Sequence, residues 1–496
     1  MKQNFFKPLL SAAAVAAALS SCTMIPKYEQ PQVAVSETFK YDNAQNSIQA
    51  ASLGWQDYFA DPRLHRLIEI ALERNTDLRT AALNAEALRE QYRITRANLL
   101  PTLAANGNGA RQRTAADLSG GRAAITESYS VGLGVSAYEL DLFGKARSNN
   151  RAALESYFNS TAARDAVHLT IVASVAKAYF NERYAEEAMK LAQNVLKTRE
   201  QTYRLSQLKH KAGVISAVDL RQQEALIASA QADYETAVKN REQARNALSV
   251  LINQPLPDDL PAGLPLSRQF KVSRLPAGLT SEVLLNRPDI RAAEHSLKQA
   301  NANIGAARAA FFPSITLTGS VGSASNELNN LFKSGNGTWA FAPSINIPIF
   351  TWGALKASLD AAKIRQQIQV VNYEAAVQSA FRDVADALVA REQLEKAHAA
   401  KAKQSKAYAD QLRLIQLRYK HGVSSALDLL DAERSSYSAD ATVLATQLSM
   451  LENLADLYKA LGGGLKQHTE AAPTAVATPA QATAEAASAP ATANGK

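Results

Sequence analysis

The sequence predicts an α+β membrane protein: four membrane-crossing strands per chain run into very long helices, and the fold closes only when chains assemble. Three observations predict it. Landmarks recur at a fixed offset, two runs of 68 residues lack both glycine and proline, and short stretches alternate apolar with small or polar residues.

The recurrence comes first because it divides the chain. Asn75-Thr76-Asp77-Leu78-Arg79-Thr80-Ala81 returns as Arg287-Pro288-Asp289-Ile290-Arg291-Ala292-Ala293, and Leu99-Leu100-Pro101 returns as Phe311-Phe312-Pro313, both 212 residues later. Lys211 to Leu220 returns as Lys420 to Leu429, and Gly144 as Gly353, both 209 residues later. These landmarks give an internal two-fold repeat, residues 61–254 and 280–464. Residues 255–279 join the repeats as a Pro-rich linker, where five prolines from Pro255 to Pro276 block regular helix.

The helices follow. The runs between Gly144 and Gly213 and between Gly353 and Gly422 can be helical throughout, and at ~1.5 Å per residue each spans on the order of 100 Å, far more than a globular core requires. Val377, Phe381, Val384 and Leu388 step by four, three and four, the seam of a helix packed on neighbours. Asp61-Pro62 reads as an N-cap followed by proline in the first turn. Gly213 and Gly422 end the long runs, and each is followed by a short turn and a second helix, so each repeat ends in a helical hairpin.

Next come the strands, within about 102–143 and 314–350. From Ser128 to Ala137 the odd positions are Tyr129, Val131, Leu133, Val135 and Ala137, and the even ones are serine or glycine. Ile315, Leu317, Gly319 and Val321 alternate with Ser314, Thr316, Thr318 and Ser320, and Trp339 to Ile349 alternates likewise. Thr102 to Gly109 is a weaker fourth strand, and the polar stretches Arg111 to Glu127 and Gly322 to Thr338 read as loops. Strands of this length cross a tilted bilayer. Four of them cannot seal a barrel, because the smallest membrane barrels have about eight strands and lipid does not tolerate open edges. Three chains give a homotrimeric, twelve-stranded barrel; the bland alternative is a soluble four-stranded sheet capping a helix bundle.

Composition and charge agree. A content of 47% apolar and 20% charged residues fits a folded chain, and a mean hydropathy of -0.20 with no long apolar run past the amino terminus disfavours spanning helices. Lys2 and Lys7 precede an apolar stretch, Pro8 to Leu19, too short to span, which ends Leu19-Ser20-Ser21-Cys22. Residues 1–21 read as a lipoprotein signal, Cys22 as the lipidated first residue of an extended segment to residue 60; the alternative is an ordinary secretory signal with an incidental cysteine. Cys22 is the only cysteine, which excludes disulfides within the chain. Thr23 at the next position is similar to bacterial lipoproteins sent on to the outer membrane. The net charge of +8 falls to +6 without Lys2 and Lys7, and cations such as Lys401, Lys403 and Lys406 lie near Asp410 on solvated helix faces, so no nucleic-acid partner is expected. Residues 465–496, rich in Ala, Pro and Thr, read as a disordered tail.

Taken together, Leu19 to Cys22, Pro26-Lys27-Tyr28, Gly54 to Leu64, Tyr138 to Gly144 and the two Gly-Val hairpins with their aspartates resemble the TolC family of outer-membrane factors. The likeness, to about Gly464, is to the lipid-anchored MtrE and OprM type that serves resistance-nodulation-division (RND) multidrug pumps. It implies a trimer with a periplasmic α-helical barrel continuous with the twelve-stranded barrel, working with a periplasmic adaptor and an inner-membrane RND transporter.

No catalytic constellation emerges. Seven histidines lie apart without metal-ligand spacing, and neither a phosphate loop nor a nucleophile elbow is present, so the sequence reads as a passive duct, not an enzyme, with no cofactor beyond lipid on Cys22. Asp428-Leu429-Leu430-Asp431 places two carboxylates near one helix face, one turn past Gly422; the plain reading is an acidic helix start favoured by the helix dipole. The resemblance implies that Asp428 and Asp431 form carboxylate rings at a periplasmic gate, where crowding would raise their pKa and attract cations. It also implies a latch at Asp219 and Tyr419, although Ser424 stands where some members carry a basic partner. A duct for protein secretion and a lipid-anchored scaffold without a pore are the rival functions. Only four methionines weakly disfavour a methionine-lined copper route.

Overall fold

The computed structural model describes residues 23–35, 39, 52–118, 120–271, 285 and 287–469. The signal 1–21, Cys22, residues 470–496 of the tail and the linker stretch 272–284 with Pro276 lie outside the described residues.

The short helix α1 (Trp55–Tyr58) leads into α2 (Pro62–Arg74) and α3 (Thr76–Ala97), then strands β1 (Leu103–Thr114) and β2 (Ala124–Leu140), and a hairpin of α4 (Lys145–Lys211) and α5 (Ala217–Leu251). After the linker come α6 (Pro288–Ala309), β3 (Ser314–Ser325), β4 (Gly337–Asn346) and a second hairpin of α7 (Ala354–Lys420) and α8 (Ala426–Ala460). The repeat is written in the lengths: α3 and α6 have 22 residues each, α4 and α7 have 67, and α5 and α8 have 35. At ~1.5 Å per residue, α4 and α7 each run about 100 Å, and the hairpin partners cover their lower halves. The upper halves pack on short helices: α4 lies against α3 and α6, and α6 also lies against α7. Among the described residues no helix is long and apolar enough to cross a membrane.

Each boundary has a local cause. The Asp61 carboxylate caps α2 by accepting from Arg63 N at 2.9 Å, with Pro62 in the first turn. Asn75 Oδ1 caps α3 by accepting from Asp77 N and Leu78 N at 2.9 and 3.1 Å. The long helices stop where Gly213 and Gly422 take φ of +72° and +76°, a left-handed conformation open to glycine at little cost.

The sheet is an antiparallel meander in the order β1-β2-β3-β4. Its strands reach further than the sequence suggests. Arg111 to Thr114 pairs with Ala124 to Glu127, and Gly322 and Ser323 pair with Thr338 and Gly337, so ladder pairing continues into stretches read as loops. β4 ends at Asn346, before Pro348, and Ile347 and Ile349 lie beyond the strand, because proline lacks the N–H that would continue the ladder. A bulge between Val135 and Tyr138 in β2 adds one residue, and Ala137 there takes a positive φ of 53°. The alternation therefore changes phase: Tyr138 and Leu140, not Ala137 and Glu139, continue the apolar face opposite Leu317 and Ile315.

The core sits at a waist where both repeats meet. Trp55, Tyr58 and Phe59 near α1, Leu64, Leu67 and Ile68 of α2, Tyr179 and Phe180 of α4, and Tyr458 of α8 are buried together there. Val377, Val384 and Leu388 join this core, and the partly buried Phe381 stacks on Phe39 at 4.4 Å, so the α7 stripe packs in the waist as well as along neighbouring helices. Each such side chain, fully buried, stabilises by ~1.5–3 kcal/mol. At 0% exposure, Asp61 also accepts from Tyr179 Oη at 2.6 Å, Leu264 N at 2.7 Å and Gln269 Nε2 at 3.2 Å, which moors the linker to the first repeat.

Two segments arrive from afar. Residues 23–35 run along α6: Arg308 donates to Met24 O, Asn301 to Pro26 O at 2.8 Å, Tyr28 Oη to Glu294, and Gln30 Nε2 to Tyr373 Oη at 2.8 Å. The first residues of the expected disordered tail are ordered instead. Trp55 N and Gln56 N donate to the carbonyls of Lys466 and Gln467, and Thr469 N and Oγ1 donate to Asp57 Oδ2 at 2.7 and 2.6 Å. Bonds to the backbone of α1 and to the Asp57 side chain thus claim 466–469, a contact that composition does not reveal.

Candidate constriction and duct wall

The hairpin tips place the residues singled out in the sequence. In each, a serine before the second helix forms a capping box with the aspartate three residues on. Ser216 N donates to Asp219 Oδ2 at 3.1 Å while Asp219 N donates to Ser216 Oγ at 3.1 Å; Ser425 N donates to Asp428 Oδ2 at 2.9 Å and Asp428 N to Ser425 Oγ at 3.1 Å. Asp219 and Asp428 therefore have a local task, the plain reading of an acidic helix start. The Ser425 N–H and hydroxyl, with Arg418 beyond them, hold the Asp428 carboxyl below the usual carboxylate range. Asp431, one turn on, pairs with Arg434 at 3.3 Å in solvent, an exposed ion pair of small energy. Asp428 and Asp431 both face solvent near the start of α8.

Tyr419 is brought to Lys209 and not to Asp219: the Lys209 ammonium stands 4.4 Å from the ring centroid, tying the last turn of α7 to the last turn of α4. Arg418 Nε donates to Ser424 Oγ at 3.0 Å, so a cation sits beside Ser424. Lysine, arginine and histidine in the last turns of α4 and α7 suit the negative ends of the helix dipoles. The sequence carries that C-terminal signal, and the acidic reading of the tip overlooked it.

A second feature has no local signal. Arg199 of α4 and Glu433 of α8 form an ion pair with side chains only 10% and 9% exposed, across the groove between the two hairpins. Burial pushes the Glu433 carboxyl up, and Arg199 offsets this in part. Nearby, Ser405 Oγ donates to Asp440 Oδ1 at 2.5 Å and joins α7 to α8.

At the other end, register sorts the sheet faces. Ala105, Leu133, Val321 and Trp339 line up across the four strands, and Leu103, Val135, Gly319 and Phe341 form the next row. Trp339 is 80% exposed and Phe341 63%, so this apolar face stands open in the single chain. The opposite face carries Asn106, Asn108, Ser130, Thr318 and Ser320. β1 and β4 are the outer strands of the sheet, each with one unpaired edge. A sheet with one apolar face, one polar face and two unpaired edges has the form of a wall segment between lipid and water whose edges need neighbours. Among the described residues no group of three or more His, Cys, Asp or Glu side chains could hold a metal ion.

With this geometry established, known proteins give a consistent comparison. Residues 67–254 and 279–463 match the family described as Outer membrane efflux protein. The chain is 45% identical over 469 residues to the probable efflux pump outer membrane protein TtgC of Pseudomonas putida, covering 93% of this chain and 97% of that one. It is 39% identical to the outer membrane protein OprJ of Pseudomonas aeruginosa, covering 92% and 95%. Among solved structures, the open state of the Neisseria gonorrhoeae MtrE outer membrane channel superposes with a TM-score of 0.86 at 67% identity, covering 91% of this chain and all of that one.

Proposed function

Because the chain belongs to the outer membrane efflux protein family, it is an outer-membrane exit channel of an efflux pump, and we propose the following account of how it works. Three chains pair the free edges of β1 and β4 around one axis and close a twelve-stranded barrel, with the Trp339 face in lipid and the Asn106 face toward water. The single observation that carries this reading is the open four-stranded sheet with one exposed apolar face. Residues 1–21 are removed, Cys22 carries lipid, and the helices of the two repeats, 61–254 and 280–464, form the periplasmic helical barrel on either side of the 255–279 linker, while β1 to β4 of the same repeats form the membrane barrel. A periplasmic adaptor and an inner-membrane RND transporter feed drugs or other small toxic compounds into this duct, which supplies no chemistry and no energy of its own.

At the tip, Asp428 and Asp431 of three chains form two carboxylate rings that narrow the closed duct and favour cations. Assembly sets two effects against each other: capping by Ser425 lowers the Asp428 pKa in each chain, and crowding of like charges raises it. Asp219 and Tyr419 act with Lys209 and Arg418 to hold adjacent hairpins together until the adaptor spreads them. The test is single-channel conductance of the trimer in planar bilayers. Asp428→Ala with Asp431→Ala is expected to raise conductance and weaken cation preference; unchanged conductance and selectivity would remove both residues from the gate.

A further inference from the structure

Charge is rare in the sheet and gathered at one end of it. β1 carries Arg111 and Arg113, β2 carries Glu127 and Glu139, and β3 and β4 carry no charged residue. Arg111, Arg113 and Glu127 stand together at the end far from the helices. Register sets Arg111 opposite Glu127 and Arg113 opposite Ile125, in the same odd-numbered series as Leu103, Ala105, Leu133 and Val135. Both arginines therefore belong to the apolar face, while Gln112 and Thr126, one position away, belong to the polar face of Asn106 and Asn108.

Height explains how arginine is tolerated there. Along β2, the apolar face runs from Leu140 to Tyr129, a path of about 34 Å once the bulge is discounted. At a strand tilt of about 40° that is about 26 Å of height, against about 25 Å for the lipid-facing band of an outer-membrane barrel. With this face in lipid, Arg111 and Arg113 lie just past Tyr129, at the level of the headgroups, and in the outer leaflet because the helices leave from the opposite end. Arg111 Nε lies 2.9 Å from Glu127 Oε1, and Tyr129 Oη donates to Glu127 Oε2 at 3.3 Å, so one guanidinium is held in place. The exposed Arg113 faces Ile125 across the ladder and has no acid opposite it. Two residues apart on one strand face, the guanidiniums stem from points about 7 Å apart, close enough to grip one phosphate between them. Beneath them β1 presents Gly109, Gly107 and Ala105, and a Cβ at Gly107 would meet nothing within 4 Å. Beside Val131 and Leu133 this leaves a shallow apolar trough that leads away from the arginines.

We infer that Arg111 and Arg113 bind the phosphate of an anionic, phosphorylated glycolipid of the outer leaflet, with one of its acyl chains along the Gly107 trough. The planar fork of arginine matches phosphate oxygens in pairs, which an uncharged sugar headgroup cannot offer. Glu127 orients Arg111 and cancels its charge, so Arg113 supplies the net attraction of the site. The inference rests on the sheet face assigned to lipid above and gives that face a specific ligand.

The test uses the full chain in detergent, with assembly and bound lipid both read by native mass measurement. The probes are diphosphoryl lipid A and the same lipid stripped of its phosphates. The unchanged chain is expected to retain the phosphorylated form about thirtyfold more tightly, the effect of two cations at an anionic surface. Arg111→Gln with Arg113→Gln is expected to abolish that preference. Arg113→Gln alone, which leaves the pair of Arg111 with Glu127 intact, is expected to reduce it about fivefold. Equal retention of the two lipids by the unchanged chain, or a preference that survives the double variant, overturns the site. If the double variant does not assemble, the single variant decides, and a preference it leaves unchanged overturns the site as well. The sheet face is read separately in Trp352→Phe, where Trp339 is exposed and the other remaining tryptophan, Trp55, is buried. Lipids with brominated acyl chains are expected to quench the Trp339 fluorescence. No quenching overturns face and site together; quenching without any effect of the arginines overturns the site alone.

Discussion

Removing the Glu433 carboxylate should loosen the second hairpin from the first, by an amount set by what it leaves behind. Arg199 and Glu433 are each about nine-tenths buried between α4 and α8. Five residues separate Glu433 from Asp428, or about 7.5 Å along the helix axis, so the pair lies just above the proposed constriction. Glu433→Ala strands a guanidinium in that groove, at a cost of ~3–5 kcal/mol. At about 1.4 kcal/mol per tenfold, backbone amides of residues 426–440 should exchange with solvent on the order of 10² to 10³ times faster. Arg199→Met combined with Glu433→Leu removes both charges and keeps apolar contact, and such exchanges are often neutral or stabilising by ~1–4 kcal/mol. That double variant should exchange within about tenfold of the unchanged chain. An acceleration below about tenfold for Glu433→Ala, or equal loosening in both variants, would show that apolar packing alone holds the hairpins and that the pair is incidental.

Other expectations follow from the same contacts. Glu155 and Glu433 should give opposite pH slopes. Burial raises the Glu155 pKa, but the bond from His295 and the charges of Arg151 and Lys298 outweigh it, so the folded value lies low; its stabilisation is complete above the unfolded carboxylate value and is lost as pH falls through the lowered one. Glu433 is raised because the burial of its carboxyl outweighs the charge of Arg199, so although the ionised pair is held together, net stability falls as pH rises from the unfolded carboxylate value through the raised one; exchange at residues 292–299 and 426–440, corrected for intrinsic rates, reads the two separately. Gly305→Ala should cost ~1–3 kcal/mol, because its methyl carbon would stand 2.6 Å from Ile25 Cγ1 and 2.7 Å from Ser148 Oγ; faster proteolysis of residues 23–35 would report it. Tyr179→Phe deletes a hydroxyl bond to the buried Asp61 and should lower stability in a denaturant titration by ~1.5–3 kcal/mol.

Much of this architecture could be read in one dimension because its signals are periodic. Glycine and proline punctuation marked the 67-residue helices to within a residue, since α4 and α7 stop one residue before the end of their Gly- and Pro-free runs. Period-two alternation found the strands. It could not find the bulge at Ala137, because one inserted residue changes pairing without changing composition. Ladder pairing also extended strands through Arg111 to Thr114, where polarity suggested a loop. Asp428 and Asp431 were singled out for their charge, and the capping role of Asp428 follows from Ser425, three residues earlier, a signature that is local and legible. Arg199 with Glu433, Asp61 with Tyr179 and residues 466–469 with α1 are pairings across folded space, and nothing near each residue in the chain announces them.

The hydrogen bonds from Thr469 to Asp57 span 412 positions, and Tyr58 and Tyr458 stack at 4.3 Å beside them. A partly synthesised or partly translocated polypeptide cannot complete this waist, however well its early helices have formed, because long-range closure waits for its last participant. A truncation after Leu465 would spare every helix and strand named here and still lose the clasp.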